Sequence, residues 1–265
     1  MNLLILSNEV QQFINDNLAS DIHKILLKKS PFAEVTSKEL VEQIESKSKA
    51  KQKLPTWFET KNIFYPNKLN LSQTSSEISA HYKSNLAKGK TLIDITAGLG
   101  IDSYAFSKNI NRVFHVEKNE ELSAIAQHNF IQLGATNIEC ISTDGISFLK
   151  NNPQSFDWIY LDPSRRDKNN KKVYYLSDCE PDVTEHLDFL FTKSNNILIK
   201  TGPLLDLNNG LKQLRNVKEI HIIAIGNEVK EVLWLLDKNY SEEPQIKTIN
   251  FKNETEKIFQ FHLNQ

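Results

Sequence analysis

The stretch TLIDITAGLGID, residues 91–102, decides the fold. Its first five residues form a β-rich run, and Gly98 and Gly100 follow after Thr96 and Ala97. Glycine permits a tight turn and a close approach of the backbone to a ligand, and such a turn often opens a helix. The stretch therefore predicts a strand, a turn and a helix, with a ligand site at the carboxyl end of the strand.

Strand-like and helical runs alternate from residue 90 onward. Candidate helices near 100–108, 119–132, 143–150 and 180–192 lie between β-rich runs, which predicts a doubly wound α/β sheet that is mostly parallel. The runs EIHIIAIG and EVLWLL are too close together for a parallel crossover, so they should pair antiparallel. A further hairpin is predicted from about 246–251 and 258–263.

Residues 1–88 are predicted to form an N-terminal helical subdomain. Thr36 with Glu39, and Thr74 with Glu77, have the spacing of helix capping boxes. Lysines alternate in the segment 47–53, which indicates either a solvated helix end or a phosphate-binding patch. We predict an α/β domain with a ligand site over residues 89–240 and a C-terminal hairpin extension over 241–265.

Composition and charge narrow the class of protein. The 265 residues are 39% hydrophobic and 25% charged, with a net charge of −1, so no global attraction to nucleic acid or membrane is expected. Cys140 and Cys179 form neither a disulfide framework nor a metal cluster. No apolar run approaches the ~18 residues of a membrane helix, and the N-terminus is unlike a signal peptide. We expect a cytoplasmic protein that binds neither membrane nor metal.

Acidic residues end four successive predicted strands: Asp94, Glu117, Asp144 and Asp162. An acid at the end of the second strand can accept both hydroxyl groups of a ribose. Thr96 and Ala97 occupy the early glycine positions of a dinucleotide turn, and no phosphate-binding Gly-Lys-Ser/Thr follows, which disfavours nucleotide hydrolysis. Asp94 would repel a pyrophosphate but suits a cationic amino-acid group.

These motifs resemble those of class I S-adenosylmethionine-dependent methyltransferases. DITAGLG, Glu117, Asp144 and DPSR carry the resemblance, which covers about residues 72–238. It implies a seven-stranded sheet with an antiparallel last strand, and S-adenosyl-L-methionine as the cofactor. The turn after Asp94 would hold the methionine part, Glu117 the ribose and Asp144 the adenine amino group. The predicted cofactor site comprises Asp94, Thr96, Ala97, Gly98, Gly100, Asp102, Glu117, Lys118, Asp144 and Gly145.

A closer resemblance is to a bacterial methyltransferase family with a C-terminal THUMP-like domain. QTSSEISAHYK, LDPSRRD, SDCEPD and IGNEVKEVL are similar to its signatures, and residues 1–265 include no THUMP-like domain. The acids of SDCEPD indicate either a metal site or a capped helix start, and we favour the cap.

The stretch LDPSRRD predicts the acceptor side of the site. Asp162 and Pro163 match the start of the Asp/Asn-Pro-Pro-aromatic motif of base-amino methyltransferases, but Ser164 and Arg165 replace its second half. Arg165 can instead bind phosphate or carboxylate bidentately. The predicted catalytic residues are Asp162, Pro163, Arg165 and Lys200. An alternative set resembles the tetrad of RNA ribose 2′-O-methyltransferases: Lys83, Asp162, Lys200 and Glu231.

The leading functional hypothesis is a methyltransferase that acts on RNA. The alternatives are a small-molecule or protein methyltransferase with the same cofactor site, and an RNA-binding protein that keeps the fold without catalysis.

Overall fold

The computed structural model describes residues 1–164, 175–252 and 255–262. Short 3₁₀ helices lie at Leu3–Leu6 and Leu176–Asp178. The helices of the N-terminal part are α1 (Asn8–Asp16), α2 (Ile22–Leu26), α3 (Ser37–Lys53), α4 (Pro55–Glu59), α5 (Lys68–Gln73) and α6 (Glu77–Leu86). The later helices are α7 (Ile101–Phe106), α8 (Glu120–Gln132), α9 (Gly145–Asn151), α10 (Val183–Lys193) and α11 (Leu207–Gln213).

The strands form one mixed sheet in the order β3-β2-β1-β4-β5-β7-β6-β8-β9. Their bounds are β1 (Gly89–Asp94), β2 (Ile110–Glu117), β3 (Ile138–Ser142), β4 (Trp158–Leu161), β5 (Asn196–Thr201), β6 (Val217–Ile225), β7 (Glu228–Asp237), β8 (Gln245–Lys252) and β9 (Thr255–His262). The predicted α/β fold is confirmed, and each of the four helices predicted between strands is present.

The predicted count of seven strands is wrong, because the C-terminal hairpin joins the sheet. β8 pairs parallel with β6, and β9 pairs antiparallel with β8, which makes nine strands. The antiparallel pairing of β6 with β7 is confirmed. Gly226 and Asn227 connect these two strands with φ of 60° and 66°, and positive φ at both central residues is typical of a tight type I′ hairpin turn.

The chain groups into two compact units, each built from two segments. The first unit comprises Met1–Lys88 and Ala97–Thr143, and the second comprises Gly89–Thr96 and Asp144–Gln265. The domain boundaries predicted at residues 88 and 240 stay a prediction. Among the described residues, no helix combines the length and the hydropathy needed to cross a membrane.

A hydrophobic core in the first unit joins the N-terminal helices to α8. Buried Leu40, Ile44 and Trp57 belong to the same cluster as Ile125 and Phe130. The segment 63–66 is buried in this core and lies outside any helix or strand. Its peptide groups therefore need partners other than a backbone ladder.

Two side-chain amides supply those partners. Asn129 accepts the Phe64 N–H at 2.8 Å and donates to the Phe64 carbonyl at 2.9 Å. Gln43 binds Tyr65 in the same two-way fashion, at 3.1 and 2.6 Å. The Ser46 hydroxyl donates to the carbonyl of Pro66 at 2.8 Å. Side chains of α3 and α8 thus replace the ladder that this buried segment lacks.

The two predicted capping boxes have opposite outcomes. Thr36 and Glu39 form a complete capping box at the start of α3. The box predicted at Thr74 and Glu77 is wrong, because Ser76 caps α6. The Glu77 carboxylate instead accepts the backbone N–H of Thr56 at 2.9 Å, and so ties α6 to α4.

The lysine-rich segment 47–53 is helical and does not form one uniform surface. Lys47 is buried, and desolvation lowers its pKa. Lys53 donates to the carbonyls of Leu71 and Ser72, both at 3.0 Å. Lys49 and Lys51 are exposed. The four lysines therefore divide between structural and surface positions.

In the second unit, a charged cluster fastens the hairpin to the sheet. Glu219 of β6 accepts from Lys247 of β8 and contacts buried His221, both at 2.7 Å. The hydrogen bond from His221, reinforced by Lys247, lowers the pKa of Glu219 to about 2.

At the start of α10, Asp182 accepts the N–H of Thr184 at 2.8 Å, which confirms the capping interpretation of SDCEPD.

We expect Asn129→Ala to lower the free energy of unfolding by about 2–4 kcal/mol, because a buried N–H and a buried carbonyl lose their partner. Chemical denaturation measures the change. Gln127→Ala, at an exposed position of the same helix, is the control and should stay within about 0.5 kcal/mol of the wild type. Equal stability of the two variants would contradict the role assigned to the Asn129 amide.

Candidate active site

The glycine turn after β1 is held from the end of β2. Gly98 and Gly100 have φ of 55° and 82°, a region that favours glycine. The Gly98 N–H donates to Oε2 of Glu117 at 2.8 Å, and the Ala97 N–H donates to the Val116 carbonyl at 3.1 Å. The predicted glycine turn and the predicted strand-end acid therefore meet within the first unit.

Glu117 uses one oxygen for each of two backbone partners. Its Oε1 accepts the Asn119 N–H at 2.8 Å, while Oε2 accepts Gly98. The residue is half-buried. Each carboxylate oxygen has two lone pairs, so each retains capacity for a further hydrogen bond. The next residue, Lys118, is exposed.

His115 contacts the same turn through the carbonyl of Gly98. It is fully buried, and its Nε2 lies 3.1 Å from the Gly98 carbonyl. Burial lowers the pKa of His115 to about 4, so the ring is neutral at pH 7 and Nε2 is the nitrogen that donates. Within the described part of the chain, the buried Nδ1 has no hydrogen-bond partner. Sequence reasoning missed His115, since a histidine inside a buried strand resembles an ordinary core residue.

Gly100 is required by packing as well as by its φ. A Cβ at this position would lie 2.3 Å from Cζ of Phe130 and 3.1 Å from Cδ2 of His115. Around Gly98, in contrast, a Cβ would meet nothing within 4 Å. The turn is therefore packed tightly at Gly100 and open at Gly98.

Asp102 lies in a buried ion pair. Oδ1 of Asp102 is 3.1 Å from Nζ of Lys83, whose side chain is fully buried. Ser75 accepts from Lys83 at 2.7 Å and donates to Oδ2 of Asp102 at 2.9 Å. The structure thus gives Lys83 a partner within the first unit. Its membership of the tetrad with Asp162, Lys200 and Glu231 stays a prediction.

In the second unit, the ends of β1 and β4 are joined through Thr96. The Thr96 N–H donates to Oδ1 of buried Asp94 at 3.2 Å. The Thr96 hydroxyl accepts the Asp162 N–H at 2.6 Å. Three residues predicted for the site are therefore linked by consecutive hydrogen bonds.

Asp162 also forms an ion pair with Lys200, through its Oδ2. The Lys200 side chain is 10% exposed and the Asp162 side chain 34% exposed, so the carboxylate is the more accessible partner. Buried Pro163 follows, and Ser164 exchanges two backbone hydrogen bonds with Glu180, at 2.8 and 3.1 Å. Arg165 lies outside the described residues.

Asp144 and Gly145 open α9. Asp144 caps this helix by accepting the Ser147 N–H at 2.8 Å, and its side chain is exposed. A Cβ at Gly145 would lie 2.3 Å from the Ile95 carbonyl oxygen, so glycine permits the helix to approach the end of β1. The cofactor roles of both residues stay predictions.

Solved structures with this fold include methyltransferases. A "putative methyltransferase" from Porphyromonas gingivalis W83 has a TM-score of 0.83 and 29% identity, covering 98% of this chain and 65% of that one. A "putative RNA methyltransferase" from Pyrococcus horikoshii has a TM-score of 0.50 and 15% identity, covering 71% and 98%, and it shows the fold alone. The chain is therefore a protein of the class I methyltransferase fold, as the motif resemblance predicted.

A family model and a curated relative also match parts of the chain. Residues 66–180 match a family model described as Conserved hypothetical protein 95. Ribosomal RNA small subunit methyltransferase J of Francisella tularensis subsp. novicida (strain U112) is 30% identical over 81 residues, which is 28% of this chain and 34% of that protein. The chain thus spans about a third of this curated relative and just under two thirds of the Porphyromonas protein.

The depressed pKa of His115 predicts an acid-sensitive fold. Its pKa is about 4 when folded and about 6.5 when unfolded, so below pH 6.5 the unfolded chain binds the extra proton. The stability that neutral His115 contributes is complete above pH 6.5 and falls as the pH decreases toward 4. Between about pH 7.5 and pH 5, the wild type should lose about 2 kcal/mol more than His115→Gln, which keeps a donor without titrating. Denaturant unfolding at both pH values measures this, and parallel losses would refute it.

Proposed function

We propose that the protein is an S-adenosylmethionine-dependent methyltransferase that acts on RNA. The observation that carries the proposal is the hydrogen bond from the Gly98 N–H to Glu117, which joins a glycine turn to an acid at the end of the next strand. In α/β sheets this is the place where an acid accepts the hydroxyls of a nucleoside ribose.

The residues fit the cofactor in three respects. Glu117 keeps lone pairs for a ribose diol after binding its two backbone donors. Space is open beside Gly98, where the backbone can approach a ligand. The acids Asp94 and Asp144 suit an ammonium and an exocyclic amino group, respectively. Bound S-adenosylmethionine supplies an electrophilic methyl group on a sulfonium.

On the acceptor side, we assign the main role to Asp162. Its carboxylate orients the N–H or O–H of the acceptor and takes the proton at an oxygen. Lys200 holds the carboxylate through their ion pair, and Thr96 fixes the Asp162 backbone. Pro163 restricts φ immediately after the acid. Arg165 is proposed to bind a phosphate of the acceptor.

RNA is proposed as the acceptor because of the relatives. The Francisella relative is named as a ribosomal RNA methyltransferase, and 30% identity over 81 residues supports a related substrate. We place the activity in the cytoplasm, a reducing compartment in which the two free cysteines, Cys140 and Cys179, remain stable.

Methyl transfer to RNA tests the function directly. Total RNA is incubated with the protein and S-adenosylmethionine carrying a radioactive methyl group, with and without ribonuclease. We expect the radioactive methyl group to be incorporated into RNA, and ribonuclease treatment to remove the radioactivity from the RNA fraction. If the radioactive methyl group appears in protein or in small molecules instead, the acceptor is not RNA. If titration calorimetry detects no binding of S-adenosylhomocysteine, the proposal that the protein is a methyltransferase is wrong.

Glu117→Ala should weaken S-adenosylhomocysteine binding about ten- to a hundredfold, because a charged acceptor for the ribose hydroxyls is lost. Calorimetric titration of the folded variant measures the dissociation constant. Glu120→Ala removes an exposed acid from the first turn of α8 and should leave the constant unchanged. Equal constants for the two variants would end the assignment of Glu117.

Asp162→Ala should reduce turnover by about 10²-fold or more, the scale of a positioned proton acceptor. The dissociation constant for S-adenosylhomocysteine should change little, since the residue is proposed to contact the acceptor. Turnover and titration on the same preparation give both quantities. A parallel fall in turnover and cofactor binding would place Asp162 in the cofactor site instead.

A further inference from the structure

A cavity of about 470 Å³ lies among the N-terminal helices, at positions that the proposed cofactor and acceptor residues do not use. Its lining includes Phe13 of α1, Ile25 of α2 and Leu40 of α3. Small-molecule sites occupy roughly 300–1,000 Å³, so the volume suffices for a nucleotide.

Three lysines also line this cavity. Lys24, Lys28 and Lys29 border the cavity, and all three are exposed. Across residues 1–164, 175–252 and 255–262, none of them forms an ion pair. The acid in the lining, Asp21, uses Oδ1 to accept the His23 N–H at 3.0 Å and caps α2. The border of the cavity therefore carries net positive charge.

The polar groups of the lining are largely occupied within the protein. The Asn17 amide donates to the Phe13 carbonyl at 2.8 Å, and its oxygen accepts from Ser20 at 3.0 Å. The Ser37 hydroxyl donates to the Lys28 carbonyl at 2.6 Å, and the Ser30 oxygen accepts the Phe32 N–H at 3.1 Å. The surface that a ligand could contact in this cavity is therefore mainly apolar, with lysine ammonium groups at its border.

A second, smaller cavity is lined by neighbouring residues of the same part of the chain. Asn17, Ser20 and Asp21, between α1 and α2, line the first cavity, and Leu18 and Ile22 line the second, of about 220 Å³. Lys49 of α3 also lines the second cavity. The exposed part of the lysine-rich segment therefore adjoins the same surface.

We infer that this surface binds single-stranded RNA, with one base in the larger cavity and the neighbouring phosphates on Lys24, Lys28 and Lys29. An unstacked base is a planar apolar group attached to an anion, and this combination matches an apolar cavity bordered by lysines. The inference rests on the proposed RNA-directed function and adds where the substrate strand is held. An inorganic anion would leave the apolar lining unused, and a neutral apolar ligand would leave the lysines unused.

Binding of a labelled single-stranded RNA of about 12 nucleotides, followed by fluorescence anisotropy, tests the inference. The test variant of the full chain combines Lys24→Gln, Lys28→Gln and Lys29→Gln. We expect an affinity lower by about tenfold or more, and a salt-dependence slope smaller by about 2, because each phosphate contact on a single strand contributes about 0.7. The control combines Lys61→Gln, Lys212→Gln and Lys238→Gln, three exposed lysines that line neither cavity.

The outcomes are distinct. A loss of RNA affinity in the test variant alone supports the site. Equal losses of affinity in both variants would mean that the RNA is held by general charge attraction, and would overturn the inference. Failure of the wild type to bind the RNA overturns the inference. S-adenosylhomocysteine titration of the same preparations tests the proposed methyltransferase separately, and its affinity should be equal in all three proteins.

Two further measurements exclude other occupants. An RNA that contains 4-thiouridine should form photo-crosslinks to the peptides around Phe13 and Ile25, and crosslinks confined to other regions would contradict the assignment. Leu26 and Leu27 are exposed beside the lysines, so vesicles containing phosphatidylserine serve as the alternative ligand. Vesicle binding that the test variant loses, with unchanged RNA binding, would make this a membrane surface and overturn the inference.

Discussion

The need to pair buried peptide groups is the constraint on which the first unit depends. The segment 63–66 is buried in a hydrophobic core without a neighbouring strand, and a buried peptide group without a partner is costly. Asn129 and Gln43 each bind one residue of this segment through both N–H and C=O. Because the two amides come from α8 and α3, satisfying one short segment also fixes the position of both helices around it.

Side chains also satisfy backbone peptide groups in the candidate cofactor turn. Gly98 donates its N–H to Glu117 and accepts from His115 at its carbonyl, so peptide groups on both sides of its Cα are held. Phe130 closes the space behind Gly100. The turn is therefore pre-organised by residues of β2 and α8, and pre-organisation reduces the entropy that a ligand must overcome on binding. A buried neutral histidine supports the backbone without adding charge near an acid.

Features encoded by local pattern were predicted well. The glycine turn, the order of strands and helices, the Thr36 capping box and the closing hairpin all follow from residues adjacent in sequence. The Asp182 cap is another example, since an acid before an apolar periodic run is a local signal.

Features that depend on distant partners could not be predicted. Nothing near Glu77 in sequence indicates that its carboxylate binds Thr56, or that α6 begins at Glu77 with Ser76 as its cap. The strand count failed for the same reason, since the pairing of β8 with β6 is a tertiary choice. The burial of Asn129 and of Lys47 could not be predicted from the sequence, because polar and charged residues on a helix are usually exposed.

The discontinuous make-up of the first unit has a consequence during synthesis on the ribosome. Its core combines Leu40 and Trp57 with Ile125, Phe130 and Ala135, which are translated much later. A nascent chain of 88 residues therefore has N-terminal helices whose apolar faces have no complete partner. Those faces become covered only after the chain through Ala135 has left the exit tunnel. Until then we expect the emerging polypeptide to expose apolar segments of the kind that chaperones bind.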